Sequence, residues 1–587
     1  MIRRRSQAGR TAALTEVHVL KRLIFLILAL QVVACAAPQG PGASQAGGAD
    51  GPRRSVPKRA VAAIQGDPHT VFQQLNPASR VRGIDAIEQL VAAGLTLQDG
   101  GGVFRPQLAE AVPSVDNGLW RLFPDGRMET TWRIREGAQW HDGTPFTADD
   151  LVFTARVVQD RDLLIFGNTA YDAIEDVQAP DPRTVVVRWK QPFIEADTLF
   201  TNIRAVPIPR HLLERPYIES KATFIEHPYW SQEFVGTGPF KLREWTLGSH
   251  LVVEANDRYV LGRPSLDEVQ VRFIEDANTL AANLLAGTVD VAVGRNLSGE
   301  QALQVRDQWR GEGRMELSYE NWISLYPQLL TPNPAVIGDV RFRKAMMYAL
   351  DRQQIVDVLQ PGLTTVSQSY MSPNQQDYRE IEERNVVRYE YDPRRAAQMI
   401  EGLGYTKAGD GFYTREPGAP RLAVEVRTTA GDDLREKMLF AIADDWQRSG
   451  VGVEPVIVPR QRADDLEYRA TFPSFEITRN PNDVRGLRSQ HSRNTPLPEN
   501  SFRVTGNRSR YINADWDALV DRFFMTIPKQ ERLQVLGQIL QHMSDQLPIM
   551  GVLYNTSPTL VNNRLVNVSA GGQGSTQTWN AHEWDIK

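Results

Sequence analysis

The chain has 587 residues, 41% of them hydrophobic and 23% charged, with 66 Lys and Arg against 71 Asp and Glu for a net charge of −5. At roughly 100–200 residues per core that length calls for two to four cores, and the composition excludes both a disorder-dominated chain and a small stapled fold. Cys35 is the single cysteine, so no disulfide can form within the chain.

Taken in chain order, the first element is an export signal. Arg3, Arg4, Arg5, Arg10, Lys21 and Arg22 precede the apolar run "LIFLILAL", and small residues follow it. A membrane span needs about 20 apolar residues, so this shorter run predicts a secretory signal over 1–34. "VVAC" resembles the lipobox of bacterial lipoproteins, which implies cleavage before Cys35 and lipidation of that residue. Residues 36–57, rich in Gly, Ala, Pro, Ser and Gln, read as a flexible tether. Loss of 1–34 removes six basic residues from 66 and one acidic residue from 71, leaving 60 against 70 and a net −10. An acidic body of that kind argues against nucleic acid as a partner.

The body opens with a short buried strand, "RAVAAIQ", and the helical spacing of "GIDAIEQLVAAGLTLQ", which ends at Gly94 before a strand. Two alternating runs around Pro124-Asp125-Gly126 predict a hairpin over 119–135. Thr147 is placed to cap a helix, with Asp149 and Asp150 in its first turn, where the helix dipole favours carboxylates. The strand "TVVVRW" follows at 184–189. A second block holds "VGTGPFKLREW", the strands "HLVVEAN" and "VQVRFI", the helix "ANTLAANLLAG" and the strand "VDVAVG". A third block predicts a helix over 340–360, the strand "LAVEVRT", a helix over 432–449, the strand "VGVEPVIV" and a helix over 529–546. Helices alternating with strands imply α/β lobes with substantially parallel sheets.

Catalytic signals are weak. In "WHDGTPFTADD", His141 and Asp142 have no third member at a recognisable spacing, and neighbouring side chains on an extended segment face opposite ways. Asp142-Gly143 instead supplies a turn, and His141 is expected to bond backbone groups. There is no G-x-S-x-G elbow, no H-E-x-x-H and no cysteine cluster, and "GTGPF" lacks the ending of a phosphate-binding loop. The residues thus support no catalytic site, metal or cofactor; they do not exclude an exported hydrolase, and the expectation of a protein that is not an enzyme rests on the resemblance below. Trp120, Trp132 and Trp189 lie in strand-like runs and are expected in the core.

Several stretches together resemble the extracytoplasmic solute-binding proteins of ABC transporters, family 5, the peptide and nickel group. They include "METTWRIREGAQWHDGTPFTADDLVFTARVV", "GTGPFKLREW", "NDRYVLGRPSLDEVQVRFIEDANTLAANLLAGTVDVA", "DVRFRKAMMYALDRQQIVDVL", "YDPRRAAQMIEGLGY" and "LPIMGVLY", in the family's order over nearly all of 59–560. The resemblance implies an α/β, two-lobed periplasmic-binding-protein fold (type II, large cluster C form) with an extra subdomain inserted in the first lobe. Mapped here, lobe I combines 58–100, 233–322 and 553–587, the insertion is 101–232, and lobe II is 323–552. Crossings near "NWISLY" and "MGVLY" form the hinge, and ligand binds between the lobes. The implied function is the solute-binding component of an ABC importer, exported, anchored by lipid on the periplasmic or extracellular face, monomeric, and partnered by permease subunits. The rival is a membrane-tethered ligand sensor signalling to a receptor.

The resemblance also marks departures. Peptide-binding members tend to place an acidic residue where Ala93 stands, and a Gly-Trp followed shortly by an Asp that pairs with the peptide's α-amino group. Here "FEITRNPNDVRGL" has no Gly-Trp; Asp483 is present, and Arg485 stands nearest the expected acidic position. A buried ammonium without a carboxylate costs several kcal/mol or more, so ordinary peptide-amine capture is not expected. Arg479 could hold a carboxylate through its guanidinium fork, which points to an anionic or neutral organic ligand; pairing with Glu476 or Asp483 is the competing expectation. The ligand-contact residues expected on these grounds are Trp322 and Tyr326 at the crossing, with Arg479, Asn480, Asp483 and Arg485 in the loop.

Overall fold

The computed structural model describes residues 56–76, 81–294, 296–375, 381, 385–504 and 506–587. Cys35, the signal and nearly all of the tether lie outside the described residues. The body is organised on a ten-stranded sheet. In chain order its strands are β1 (Arg59–Ile64), β2 (Phe240–Thr246), β3 (His250–Ala255), β4 (Glu268–Phe273), β5 (Val291–Ala292), β6 (Gly313–Pro327), β7 (Ala423–Thr429), β8 (Gly452–Val458), β9 (Phe475–Asn480) and β10 (Met550–Asn562). In space they run β8-β7-β9-β6-β10-β5-β1-β4-β3-β2.

Parallel pairing is confined to two places, β1 with β4 and β5, and β7 with β8 and β9. The expectation of substantially parallel sheets is met only inside each half. A three-residue turn joins β2 to β3, which must therefore run antiparallel. The halves themselves join through antiparallel β6 and β10, in register from Gly313↔Asn562 to Leu325↔Met550. Two irregularities, between Tyr319 and Asn321 and between Ile323 and Ser324, break that ladder at its middle. Bulges of this kind bend a strand and sharpen its twist. At the same level Gly551 admits no side chain, since a Cβ there would lie 2.7 Å from the Trp322 ring and 2.6 Å from Ser367 Oγ.

Each half carries its own core. One gathers Ile64, Ile87, Leu251, Val269, Val271 and Trp584; the other gathers Leu325, Val426, Trp446, Phe475, Ile477 and Val552. The helix expected over 340–360 is two helices, Val340–Tyr348 and Arg352–Leu359, because Asp351 caps the second by accepting from Gln354 N–H at 2.9 Å. Buried Arg352 then donates to the carbonyls of Ser367, Gly551 and Tyr389, tying this turn to β10.

A separate four-stranded sheet is built from Trp120–Leu122, Met128–Arg133, Ile174–Asp181 and Thr184–Trp189. Trp120, Trp132 and Trp189 are all buried in it, and Trp189 Nε1 donates to Thr130 Oγ1 at 3.0 Å. The helix Ala148–Val158 starts with a capping box between Thr147 and Asp150.

His141 joins this sheet to the larger one. Its Nδ1 accepts from Gly236 N–H at 3.1 Å, so the proton sits on Nε2, which donates to the Gly238 carbonyl at 3.1 Å. The backbone pairs too, His141 N–H donating to Gly236 C=O at 2.9 Å. Both glycines lie against the end of the helix Ile84–Val91, where a Cβ on Gly236 would stand 2.0 Å from Val91 O. "WHDGT" and "GTGPF", 95 residues apart, are therefore two sides of one seam. Burial pushes the His141 imidazole down to about 4, which keeps it neutral in this role.

Candidate ligand-binding cleft

A cavity of about 340 Å³ lies where six distant parts of the chain converge. The turn of the hairpin Thr96–Gln98/Phe104–Pro106 contributes Gly101, Gly102 and Phe104; the stretch before and through the 3-10 turn Ala196–Thr198 contributes Ile194, Glu195 and Asp197. Opposite stand Asn374 and Gln375, Asp483 and Arg485, and Phe523, Lys529 and Arg532 from the helices Ala514–Met525 and Lys529–Gln546. One apolar cluster runs from Trp132 and Trp189 of the smaller sheet to Trp516, Phe523 and Leu540 of those helices, and seals this side.

Gln573, on the C-terminal loop, is the hub of the closure. Its Nε2 donates to the Glu320 carbonyl at 2.9 Å and to Asn482 Oδ1, so its Oε1 must be the acceptor, and Gln375 Nε2 donates to it at 3.0 Å. That order fixes the Gln375 amide with its own Oε1 turned away from this bond. Gln98 is fixed likewise, because its Nε2 donates to Gly102 C=O at 2.9 Å. The oxygens left over, Gln98 Oε1, Gln375 Oε1 and Asn374 Oδ1, have no hydrogen-bond partner.

The charges in the wall differ in how they are matched. Asp483 caps the turn Val484–Gln490, accepting from Gly486 N–H at 2.9 Å, and pairs with Arg485 at 2.6 Å. Glu195 pairs with Arg204 at 2.6 Å. Among the described residues no side chain bonds Asp197, whose carboxylate accepts only from its own backbone N–H, and burial raises it to about 6 against the opposing pull of Arg532 and Arg204. Among the described residues no group of three or more His, Cys, Asp or Glu is placed to hold a metal ion.

Of the residues singled out in the sequence, Asp483 and Arg485 line this cavity. Trp322 is buried edge-on against Tyr370, ring centroids 5.2 Å apart, and borders a separate void of about 30 Å³. Tyr326 is buried in the core beside the Glu476–Arg508 ion pair. Arg479 reaches Asp432 at 3.1 Å on the surface, a partner other than the two considered, and Asn480 donates to Thr478 Oγ1; neither borders the cavity. Ala93 is buried, its N–H bonded to Thr237 Oγ1 at 3.1 Å on the Gly236–Gly238 seam. Gln98, Asp197, Gln375 and Gln573 carry no local sequence signal; they come together only through the topology.

A partly open cavity lined by distant parts of one chain is the geometry of a protein that binds a solute. The model of the bacterial extracellular solute-binding proteins, family 5, matches residues 104–485. The chain belongs to that family and is an extracytoplasmic solute-binding component of an ABC importer. It is 26% identical over 440 residues to the oligopeptide-binding protein AppA of Bacillus subtilis, covering 74% of this chain and 75% of that protein. An AppA structure with a nonapeptide superposes with a TM-score of 0.60 at 22% identity, covering 91% of this chain and 100% of that one. A periplasmic oligopeptide-binding protein of Thermotoga maritima gives a TM-score of 0.71 at 18% identity over 90% of this chain and 99% of its own. NikZ of Campylobacter jejuni, solved with Ni(L-His), gives 0.65 at 20% identity over 90% and 100%. The fold is the two-lobed periplasmic-binding-protein fold. Among the described residues no helix is long and apolar enough to cross a membrane.

Proposed function

We propose that the chain is a monomeric lipoprotein, anchored through Cys35, that binds without turnover and hands a compact solute to permease subunits. The partly open cavity of about 340 Å³ carries this reading. At about 10–15 Å³ of such space per water, the cavity holds many waters, room for an organic solute. Asp483 and Arg485 are the two residues of the expected set that would meet the solute, with Gln375 and Gln573 across from the Gly101–Gly102 turn.

Lobe I would comprise 58–100, 233–322 and 553–587, the insertion 101–232, and lobe II 323–552. The change of partners at β6 and β10, with the bulges at Tyr319–Asn321, supports a hinge there. Solute would favour the closed state because only that state surrounds it. Native mass spectrometry of the protein from Cys35 onward, followed by denaturation, tests the reading. We expect a small molecule released intact at near one-to-one. A protein that releases nothing and gains no thermal stability with peptides, sugars, organic acids or metal chelates would sink it.

A further inference from the structure

We propose that Asp197 is the counter-charge for a positively charged group of the solute, so that the cleft selects compact ligands bearing a primary ammonium or a guanidinium. The inference rests on the cleft being the solute site. Three carboxylates stand in its wall among the described residues, and two are already matched: Asp483 by Arg485 and the Gly486 N–H, Glu195 by Arg204. No other side chain among the described residues hydrogen-bonds the Asp197 carboxylate. Protein packs round it, yet it keeps part of its surface where the cavity borders it.

The groups facing Asp197 can be named. Glu195 on its own turn repels it; Arg204 on the following loop and Arg532 on the helix Lys529–Gln546 attract it. The strand Thr96–Gln98, which touches it through the Thr96 Oγ1 bond to the Asp197 carbonyl, adds no charge. Lys529, Asp483 and Arg485 share the cavity wall. Arg204 is committed to Glu195, and Arg532 donates to the carbonyls of Thr526 and Ile527. Burial still outweighs their attraction, leaving the carboxyl at about 6. A largely desolvated carboxylate without a cationic side chain bonded to it is costly, and a cation entering the cavity lowers that cost. Three amide oxygens of the same wall, Gln98 Oε1, Asn374 Oδ1 and Gln375 Oε1, have no donor, and an ammonium or guanidinium is rich in N–H.

The test uses the full-length protein in detergent, wild type and Asp197→Asn, with agmatine, arginine amide, 1,4-diaminobutane and benzylamine, each against its N-acetylated analogue, and with size-matched neutral and anionic solutes. We expect at least one cation to bind the wild type and its acetylated analogue to fail, with affinity at least tenfold weaker in Asp197→Asn. Because the cation must displace a proton, wild-type affinity should fall about tenfold per pH unit below about 6, and the variant should show no such slope. Binding confined to neutral or anionic solutes, or equal binding by the variant, overturns the role of Asp197 and leaves the solute site standing. Failure of every solute class overturns both.

A ligand-free measurement stands apart from the choice of probe. Asp197→Asn should raise the melting temperature at pH 8 by more than at pH 4, because the wild-type charge is present only at the higher pH. An equal or opposite change at pH 8 means that protein already satisfies the carboxylate, and overturns the proposal.

Discussion

At the seam between the two sheets His141 accepts from Gly236 and donates to Gly238, while at the cleft Gln573 accepts from Gln375 and donates to Glu320 and Asn482. Both residues bind together stretches far apart in the chain. Around His141 the ring nitrogens and the glycine groups they meet are all bonded, and no space is left beside Val91 for a methyl group. Around Gln573 the hub is saturated, but three neighbouring amide oxygens lack donors, and no side chain among the described residues bonds the Asp197 carboxylate. Buried polar groups in folded proteins are nearly always paired, so several left over beside one cavity are available to a solute. The seam is closed by protein; in our proposal the cleft is completed by its solute.

That contrast can be broken at several points. Gly236→Ala should have the largest effect, because its Cβ would stand 2.0 Å from Val91 O. A loss of at least about 3 kcal/mol is expected from such overpacking, read from the urea midpoint, and an unchanged midpoint would mean the seam has slack. His141→Phe leaves the Gly236 N–H and Gly238 carbonyl buried without partners, at a cost of about 2–4 kcal/mol. This histidine also sets an acid limb. Its folded value of about 4 lies below the unfolded 6.5, so only the unfolded chain takes up the proton between them, and stability falls as pH drops from 6.5 to 4. Unfolding followed from pH 7 to 4 should show less of that decline in His141→Phe.

Glu88, on the helix that the seam packs against, has the opposite sign. Burial raises it to about 8, so the folded chain holds a proton that the unfolded one has lost above 4.5, and stability falls as pH rises from 4.5 to 8. Glu88→Gln should remove that decline and add on the order of 3 kcal/mol at pH 8. A variant less stable than wild type at pH 8 would contradict it. Gln573→Ala should cost only about 1 kcal/mol. Its sharper readout is the ligand-free radius of gyration by small-angle scattering, expected to rise as the cleft loosens. Arg479→Ala should be smallest, about 0.5 kcal/mol or less for an exposed pair with Asp432, with solute affinity unchanged. A large loss of affinity there would bring the surface of β9 into the site.

Local features of the fold were legible where local physics sets them. The Thr147 cap, the hairpin at Pro124-Asp125-Gly126 and the helix Lys529–Gln546 each follow from a few adjacent residues, and each is found as expected. The break at Asp351 was hidden, because a capping aspartate inside an apolar 3.6-residue pattern looks like one more polar position. Strand direction was hidden as well, since alternation of helix and strand does not reveal the antiparallel join of β6 and β10. In the site, Asp483 and Arg485 were reached through the family resemblance, and the structure puts both against the cavity. Asp197 and Gln573 were not reachable, because nothing adjacent to either distinguishes it; one sits after a Pro-Phe stretch and the other in a Gly-rich loop, and only the folded topology sets them around one space. His141 was read correctly as a backbone-bonding residue, though its partners lay 95 residues away.

The position of β10 has a consequence for how the molecule comes into being. This strand belongs to the last 40 residues, yet it pairs with β6 along one edge and with β5 along the other, Gly313 meeting Asn562 and Val291 meeting Val561. Until it arrives, each half of the sheet presents a bare edge, and the contacts that cover it span hundreds of residues. Pairings of such range form slowly, and open edges invite association with other chains. A chain threaded through a membrane from its first residue would thus remain unfinished until its end had emerged, held extended and in need of protection for the whole passage.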